Sequence, residues 1–342
     1  MIERAPGVFE VKLYGGESSG VSEMRIFIIP GRNGQRSLMV DAGFRRRSCM
    51  RDLEAALYEL EIDVRNLDIF LTHKHTDHCG LASEFARKGA RLFMNSQEER
   101  HSYDCLYYSH SLPFREGRAE VLRTIGISPE MRPELWEMFE QTGQGITDDF
   151  ERSFEIRDFP YQPVREGQFF CYGGYHLEAL PLKGHTYGQM GLYDREKRLV
   201  FCADQVIDGI VSIVATSYAD EHLLQGYFDS LARFKTELAD CLLLPAHREA
   251  IRDVGRVVDR IVFSYLDKTD MIRRILDYGR GRMTVLEIAC IAYGVKRVPH
   301  SESEFLRLKS VISKTFSCLE YLYDIDLALR ERREGTLYWE KP

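Results

Sequence analysis

Three histidines and one aspartate fall within six residues, at His73, His75, Asp77 and His78. They come directly after the apolar segment Leu67 to Leu71, which predicts a buried strand. Imidazole nitrogens and carboxylate oxygens are ligands for divalent transition metals. Without a metal, each of these neighbouring rings would need its own polar partner or solvent. The cluster therefore predicts a metal site on a loop at the end of a buried strand.

Four more candidate residues continue this pattern, each close to the end of another predicted strand. They are Asp41, His185 in a GHTYG segment, Asp204 and His247. Together with the first cluster they form an HxHxDH signature followed in order by GHTxG, an Asp and a His. In these motifs, over about residues 8–250, the sequence resembles the metallo-β-lactamase superfamily. The resemblance implies an α/β fold, the αββα sandwich of that family.

The resemblance also implies how the ligands divide between two metal ions. The first set would be His73, His75 and His185, and the second set Asp77, His78 and His247. Asp204 would bridge the ions, which leaves each of them coordinatively open toward a substrate. Asp41 is implied to lie beside the centre, where its carboxylate would accept a hydrogen bond that orients a ligand.

The ligand types favour zinc, and the carboxylates would also suit iron or manganese. Two ions that share a water would lower its pKa toward ~7, so we expect a metal-bound hydroxide as the nucleophile. Asp77 and Asp204 are the candidate catalytic side chains, because each could accept or shuttle a proton. Secreted antibiotic-degrading family members usually present a cysteine where Asp204 stands, which argues against β-lactam hydrolysis.

The length of the chain predicts two domains, and the resemblance implies that residues 1–250 form the catalytic one. Short β-rich segments open it as an antiparallel meander, and strands then alternate with helices, a pattern typical of helices packed on sheet faces. At about residues 97–164 the sequence becomes polar and helical, which predicts an insertion. Within it, Ser128 followed by Pro129 predicts the start of a helix.

The remaining residues, 251–342, predict a small C-terminal domain. Long helices are expected over Val254 to Tyr278 and Glu302 to Tyr323, with a shorter helix capped by Thr284 between them. A hairpin is expected at the end of the chain, between Ile325 and Trp339. Three helices and a hairpin suggest a winged-helix-like extension.

Composition limits the function classes. The 46 Lys and Arg against 53 Asp and Glu give a net charge of −7, which argues against wrapping nucleic acid over the whole surface. Eight cysteines without a CxxC pair fit buried, reduced thiols in the cytosol. No apolar run approaches the ~20 residues that span a bilayer, and no secretory signal is recognisable. We therefore expect a cytoplasmic protein that does not enter a membrane.

Within the superfamily, the run from Asp41 to His247 resembles the glyoxalase II, lactonase and thioesterase-like branch. This implies a small-molecule substrate with a thioester, lactone or ester bond. Tyr187, two residues after His185, and Tyr107 in the insertion are candidate substrate contacts. Tyr107 could equally belong to the core of a helix pair.

Three alternative functions stay open. The tail resembles the extension of an RNA-cleaving branch, which suggests a phosphodiesterase or ribonuclease, but residues 251–342 carry only 17 Lys and Arg against 14 Asp and Glu. Such tails more often serve as a lid, a brace or a homodimer contact. A diiron redox protein is less favoured, since those relatives usually replace the histidine at position 75 with Glu and append a flavin domain. A purely binding role is disfavoured because every ligand is present.

Overall fold

The computed structural model describes residues 1–15, 23–100, 116–141, 159–279 and 281–342. The chain divides into two compact units. The first comprises Met1–Arg100, Thr147–Ser212 and Ser230–Val258, and the second comprises His101–Ile146, Ile213–Asp229 and Asp259–Pro342. The division into a catalytic domain over residues 1–250 and a tail over residues 251–342 stays a prediction.

The first unit contains a seven-stranded sheet whose strands lie side by side in chain order. Its strands are β1 (Ile2–Ala5), β2 (Val8–Tyr14), β3 (Glu23–Ile29), β4 (Ser37–Val40), β5 (Leu67–Phe70), β6 (Arg91–Met94) and β7 (Gln162–Pro163). Strands β1 to β4 pair antiparallel, so the expected meander is confirmed, and β4 to β7 pair parallel. Strands β4 and β5 are buried at every residue, as expected for parallel strands covered on both faces.

A five-stranded sheet completes the strand content of this unit, in the order β12-β11-β10-β9-β8. Its strands are β8 (Phe169–Tyr172), β9 (Tyr175–Pro181), β10 (Met190–Asp194), β11 (Leu199–Ala203) and β12 (Leu242–Pro245). Only β11 and β12 pair parallel; the other neighbours are antiparallel. The sequence pattern predicts all five as strands, with ends that differ from these by at most one residue: Gln168 to Tyr172, His176 to Leu182, Met190 to Tyr193, Arg198 to Cys202 and Cys241 to Leu244.

Two apolar clusters hold these layers together. One lies between the two sheets and joins Phe27 and Phe70 of the first sheet to Phe170 and Phe201 of the second. The other covers the opposite face of the first sheet with helices α1 (Arg47–Glu59) and α3 (Ala82–Arg87). The first sheet is therefore buried on both faces, against the second sheet on one side and against the helix layer on the other. The expected α/β sandwich is confirmed.

Shorter helices connect the strands of the first unit. They are α2 (Thr76–Cys79) and α4 (Ser96–Arg100), together with a 3-10 turn at Val64–Asn66. Two longer helices cross the boundaries between the unit ranges, α7 (Leu223–Thr236) and α8 (Val254–Tyr278). The helix pattern of α8 was expected to the residue. Strand β7 corrects the view of residues 97–164 as a wholly helical insertion, because it pairs parallel with β6.

The second unit is mainly helical. It contains α5 (Glu116–Thr124), α6 (Pro133–Glu140), α9 (Val285–Tyr293), α10 (Glu302–Asp324) and a sheet of β13 (Met283–Thr284), β15 (Thr336–Glu340) and β14 (Leu329–Arg333), in that order. Thr284 closes a capping box with Glu287 at the start of α9, as its position in the sequence predicts. The expected hairpin is present, and its turn uses positive φ at Glu334 (46°) and Gly335 (85°).

One helix start was wrong. Ser128 and Pro129 were expected to begin a helix, but α6 begins at Pro133. The Ser128 hydroxyl accepts a hydrogen bond from the Met131 amide at 3.2 Å and so closes a turn instead. Pro133 disfavours helical geometry at the residue before it, and Arg132 accordingly lies outside the helical region, with φ −146° and ψ 65°. A helix begun at Ser128 could not have passed through this position.

The structure tests two expectations from composition, on the burial of the cysteines and on membrane-spanning helices. Among the described cysteines, five are buried, whereas Cys171 is exposed and Cys290 is partly exposed, so the view of uniformly buried thiols was wrong for these two. Across the described ranges, no helix combines the length and the apolar character needed to span a bilayer.

Candidate metal centre

The candidate ligands lie on loops that leave the ends of neighbouring strands. Asp41 follows β4, and the segment from Thr72 to His78 follows β5, which runs parallel to β4. In the second sheet, Asp204 follows β11 and His247 follows β12, another parallel pair. Because parallel strands end at the same edge of a sheet, these loops converge in space.

The first ligand set brings three imidazole nitrogens together. His73 Nε2 lies 2.8 Å from His75 Nδ1, and His185 Nε2 lies 2.9 Å from the same atom. Asp204 Oδ2 is 3.4 Å from His185 Nε2. All four side chains are buried, and their ligand atoms lie within 4.8 Å of one another. Nitrogens bound to one ion at ~2.0–2.1 Å would be separated by comparable distances.

The second set places Asp77 and His247 around His78. Asp77 Oδ2 lies 3.8 Å from His78 Nε2 and 3.4 Å from His247 Nε2. Asp204 reaches this set as well, since its Oδ1 lies 3.5 Å from His78 Nε2 and 3.4 Å from His247 Nε2. The two oxygens of Asp204 therefore face different sets, which is the geometry that a bridging carboxylate needs.

The chemistry of these atoms fits metal ions. Within the described ranges, His78 Nε2, His247 Nε2 and Asp204 Oδ1 are buried and make no hydrogen bond. Buried polar atoms left in this state are costly, by about 1–3 kcal/mol each. One bound cation would satisfy all three at once, and nitrogen with carboxylate oxygen is a donor set that zinc, iron and manganese accept.

The charges of the second set also favour a cation. Burial alone would lower the pKa of His78 and His247, yet the neighbouring carboxylates outweigh it and raise the pKa of His247 to about 10. Asp204 and Asp77 supply most of this negative potential at His247, and Asp41 adds to it at His78. In the first set, burial and the adjacent rings lower the pKa of His73 and His75 well below the usual value. These two rings are therefore neutral, the form that binds a metal.

Asp41 orients the ring of His78. Its Oδ2 lies 2.8 Å from His78 Nδ1, and its two oxygens also accept from the Thr72 amide at 2.7 Å and the Thr72 hydroxyl at 2.9 Å. With a proton held on Nδ1, Nε2 is the atom that faces the cluster, where a metal ion would take the place of its proton. The Thr72 hydroxyl lies in turn 3.0 Å from His73 Nδ1, so one short network reaches both ligand sets.

His247 is oriented by a backbone carbonyl and a buried ion network. Its Nδ1 lies 2.7 Å from the carbonyl oxygen of Glu23. Two residues along the same strand, Arg25 donates its amide to Ala246 at 2.7 Å and its guanidinium to Glu249 at 2.6 Å. Since Arg25 is 2% exposed, this clamp holds both sides of the His247 loop.

Glu98 is a residue that the sequence interpretation missed. It is fully buried in α4, and its carboxylate accepts hydrogen bonds from the Lys74 amide at 2.8 Å, the Thr186 hydroxyl at 2.7 Å and the Gly188 amide at 2.6 Å. A single Glu in a short helix after a strand is a weak signal by itself. Only the chain's folding brings it onto two loops that lie 24 and about 90 residues away.

Gly80 allows the backbone segments at Gly43, Arg45 and Thr76 to pack closely around it. A Cβ atom at this position would lie 2.4 Å from the Arg45 amide nitrogen and 2.5 Å from the carbonyl oxygens of Gly43 and Thr76. Because all three atoms belong to backbone, nothing could move aside to accept a side chain.

The two candidate substrate contacts have different outcomes. Tyr187 is half-buried, and the ammonium of Lys183 lies 4.5 Å from its ring centroid, so the pair flanks His185 along the chain. Tyr107 lies outside the described residues.

The sequence model of the Metallo-beta-lactamase superfamily matches residues 27–247, which include every candidate ligand. The match covers well over half of the chain, so this protein belongs to the metallo-beta-lactamase superfamily. The family and the assembled His and Asp cluster together place it in the class of metal-dependent hydrolases.

Individual relatives are distant. The chain is 21% identical to the probable metallo-hydrolase YqjP of Bacillus subtilis (strain 168), over 75% of this chain and 77% of that one. Its fold resembles a metallo-beta-lactamase family protein from Thermus thermophilus, with a TM-score of 0.69, 20% identity and 99% of each chain covered. It also resembles a beta-lactamase domain protein from Burkholderia ambifaria, with a TM-score of 0.73, 18% identity, 100% of this chain and 93% of the other. At these identities the structural likeness shows a shared fold.

Proposed function

We propose that this protein is a dinuclear metal-dependent hydrolase that cleaves an ester-like bond, namely a thioester, a lactone or an ester. The proposal rests on one observation, the convergence of seven ligand side chains into two sets that share Asp204. His73, His75 and His185 would hold one ion. Asp77, His78 and His247 would hold the other.

The metal is proposed to be zinc, with iron or manganese as alternatives that the same ligands accept. Divalent ions at this position supply Lewis acidity and make a water molecule acidic enough to react at neutral pH. The protein's own part is orientation. Asp41 and the Glu23 carbonyl fix the rings of His78 and His247 with Nε2 toward the cluster.

Asp77 and Asp204 are the proposed catalytic side chains. Among the side chains alone, burial would raise both carboxyl pKa values, but the histidines beside them lower these values below the usual range. Both groups are therefore ionised at neutral pH, the form that binds a metal ion and from which a carboxylate can shuttle a proton. Asp204 is better placed, because its oxygens face both ligand sets.

The substrate is proposed to be a small molecule, in keeping with the resemblance to the glyoxalase II and lactonase-like branch. Tyr187 with Lys183 supplies a polar and aromatic surface next to His185 in the chain. The net charge of −7 does not favour a nucleic acid. We also propose that the protein acts in the cytoplasm, since its cysteines show no disulfide pattern.

Metal analysis and a hydrolysis panel test this proposal. Purified protein should contain about two metal ions per chain and turn over acyl thioesters, lactones or aryl esters. Turnover of a bis-aryl phosphodiester alone would instead support the nuclease alternative, and a chain that binds no divalent ion would refute the centre. His75→Ala should lose turnover, whereas His176→Ala, which removes an exposed histidine of β9, should keep it.

A further inference from the structure

Glu98 holds together the two loops that carry the first ligand set. Its Oε2 accepts from the amide of Lys74, the residue between His73 and His75. Its Oε1 accepts from Thr186, the residue after His185, and from the amide of Gly188 two residues further on. Each of the three hydrogen bonds therefore ends on a loop that presents a first-set ligand.

The contact between α4 and the His185 loop is tight. A Cβ atom at Gly188 would lie 2.8 Å from Gln97 Cβ and 3.0 Å from the Glu98 amide nitrogen. Asn95, just before α4, donates its side-chain amide to the Gly188 carbonyl at 2.9 Å. The loop is thus fixed to the helix through a carboxylate, an amide and a glycine without room for a side chain.

A carboxylate suits this position because it has no donor and has several acceptor sites on two oxygens. Three donors converge on Glu98, and a charged acceptor makes hydrogen bonds roughly twice as strong as a neutral one. The amide of a glutamine has the same length but only one oxygen acceptor. Such an amide would have to turn its NH2 group toward at least one of the three donors.

The second ligand set has different supports. His78 is oriented by Asp41, and His247 by the Glu23 carbonyl. Lys74, Thr186 and Gly188, the three donors to Glu98, are not members of that set. Glu98 therefore supports only loops of the first set, whereas the network of Asp41 and Thr72 orients His78 and reaches the first set only at His73.

We infer that Glu98 is a positioning residue for one of the two ions, the one bound by His73, His75 and His185. Loss of Glu98 would loosen the backbone at Lys74 and at Thr186 to Gly188. Asp77 and His78 lie in helix α2, and His78 keeps its contact with Asp41, so the ion at Asp77, His78 and His247 would stay in place. The inference rests on the proposed dinuclear centre and adds that its two ions can be lost separately.

Titration with Co²⁺ measures the affinity of each of the two metal sites directly. Metal-free wild type, Glu98→Ala and Glu98→Gln would each be titrated with Co²⁺ against a chromophoric chelator, which gives the number of sites and both affinities. Outer partners of metal ligands change affinity by about 10–100-fold. We expect one of two sites to weaken by about 100-fold in Glu98→Ala and by roughly 10-fold in Glu98→Gln, with the other site unchanged.

Two reference variants identify the ion that remains. His185→Ala should disable the first set and His247→Ala the second, so each leaves a different single cobalt ion with its own visible absorption. The tight site of Glu98→Ala should match the spectrum of His185→Ala. A match to the spectrum of His247→Ala would show that Glu98 supports the second set and would overturn the inference.

The matched control is Glu99→Gln, next along α4. Glu99 accepts from the Tyr161 hydroxyl at 2.5 Å rather than from a ligand loop, so both cobalt affinities should stay at the wild-type value. Equal weakening of both sites in the Glu98 variants, or two unchanged sites, would refute the inference. If Glu98→Ala does not fold, as judged by circular dichroism, Glu98→Gln and Thr186→Val carry the test. A wild type that binds fewer than two ions would instead refute the proposed function.

Discussion

The substitution Asp41→Asn tests how the centre sets the protonation of its ligands. Asp41 accepts three hydrogen bonds, from the Thr72 amide at 2.7 Å, the Thr72 hydroxyl at 2.9 Å and His78 Nδ1 at 2.8 Å. Its φ is +66°, a conformation that Asn tolerates better than most residues. The change therefore removes an acceptor while leaving the size and the backbone of the residue nearly unaltered.

The amide can take two orientations, and both are unfavourable. With its oxygen toward the Thr72 amide, its NH2 group faces His78 Nδ1, which must then accept. The ring proton moves to Nε2, the atom that should bind the metal. With its oxygen toward His78, the NH2 group faces the Thr72 N–H instead. The first orientation places a proton where the metal would bind. The second leaves a buried donor unsatisfied, at about 1–3 kcal/mol, which corresponds to roughly 5- to 150-fold in an equilibrium constant.

The assay is the affinity for zinc in competition with a chelator, together with thermal unfolding of the metal-free protein. If the first orientation prevails, zinc binding at the second set weakens by about 10–100-fold. If the second prevails, the loss falls on unfolding free energy. Asp63→Asn is the control, because Asp63 is exposed and pairs with Arg65 away from the ligands. Wild-type affinity and wild-type unfolding together in Asp41→Asn would refute the role given to Asp41.

Three further predictions follow from single side chains. Asp204→Asn should abolish turnover and weaken both ions while leaving the fold intact, as checked by metal content and circular dichroism. Asp68→Ala should lower the unfolding free energy by about 1–3 kcal/mol, because the buried carboxylate of Asp68 holds Arg36 and Arg91. These partners outweigh burial and keep the Asp68 pKa below its usual 3.8. The stability that Asp68 contributes is therefore present above that pH and is lost as the pH falls further. Denaturant unfolding of wild type and Asp68→Ala should show a smaller difference in unfolding free energy at pH 3 than at pH 7. Thr284→Ala should cost about 1 kcal/mol by removing the cap of α9, and unchanged denaturant unfolding would contradict that role.

Local sequence patterns were sufficient for most elements of secondary structure. The burial of β4 and β5 and the length of α8 follow from hydrophobic periodicity, which depends only on neighbours in the chain. The prediction of where α6 begins was wrong because Ser128-Pro129 and Pro133 offer two competing helix starts. Their order of strength depends on the conformation forced on Arg132, which a pattern of residue types does not show.

The sequence by itself determined the chemistry of the centre. The HxHxDH segment predicts a metal site from local sequence alone, because the side chains of six consecutive residues cannot lie further apart than one loop allows. The order of the later His and Asp residues then matched one family.

The tertiary structure decided which side chains hold those ligands in place. Glu98 meets Gly188 across 90 residues, and Arg25 meets Glu249 across 224. Such contacts produce no periodic pattern in the sequence. The residues that meet are far apart in the chain and belong to no common motif. The tertiary structure also decided that Glu98 contacts the loops of the first set and that Asp41 contacts the ring of His78, because hydrogen bonds are directional and only the folded loops fix which donor faces which acceptor.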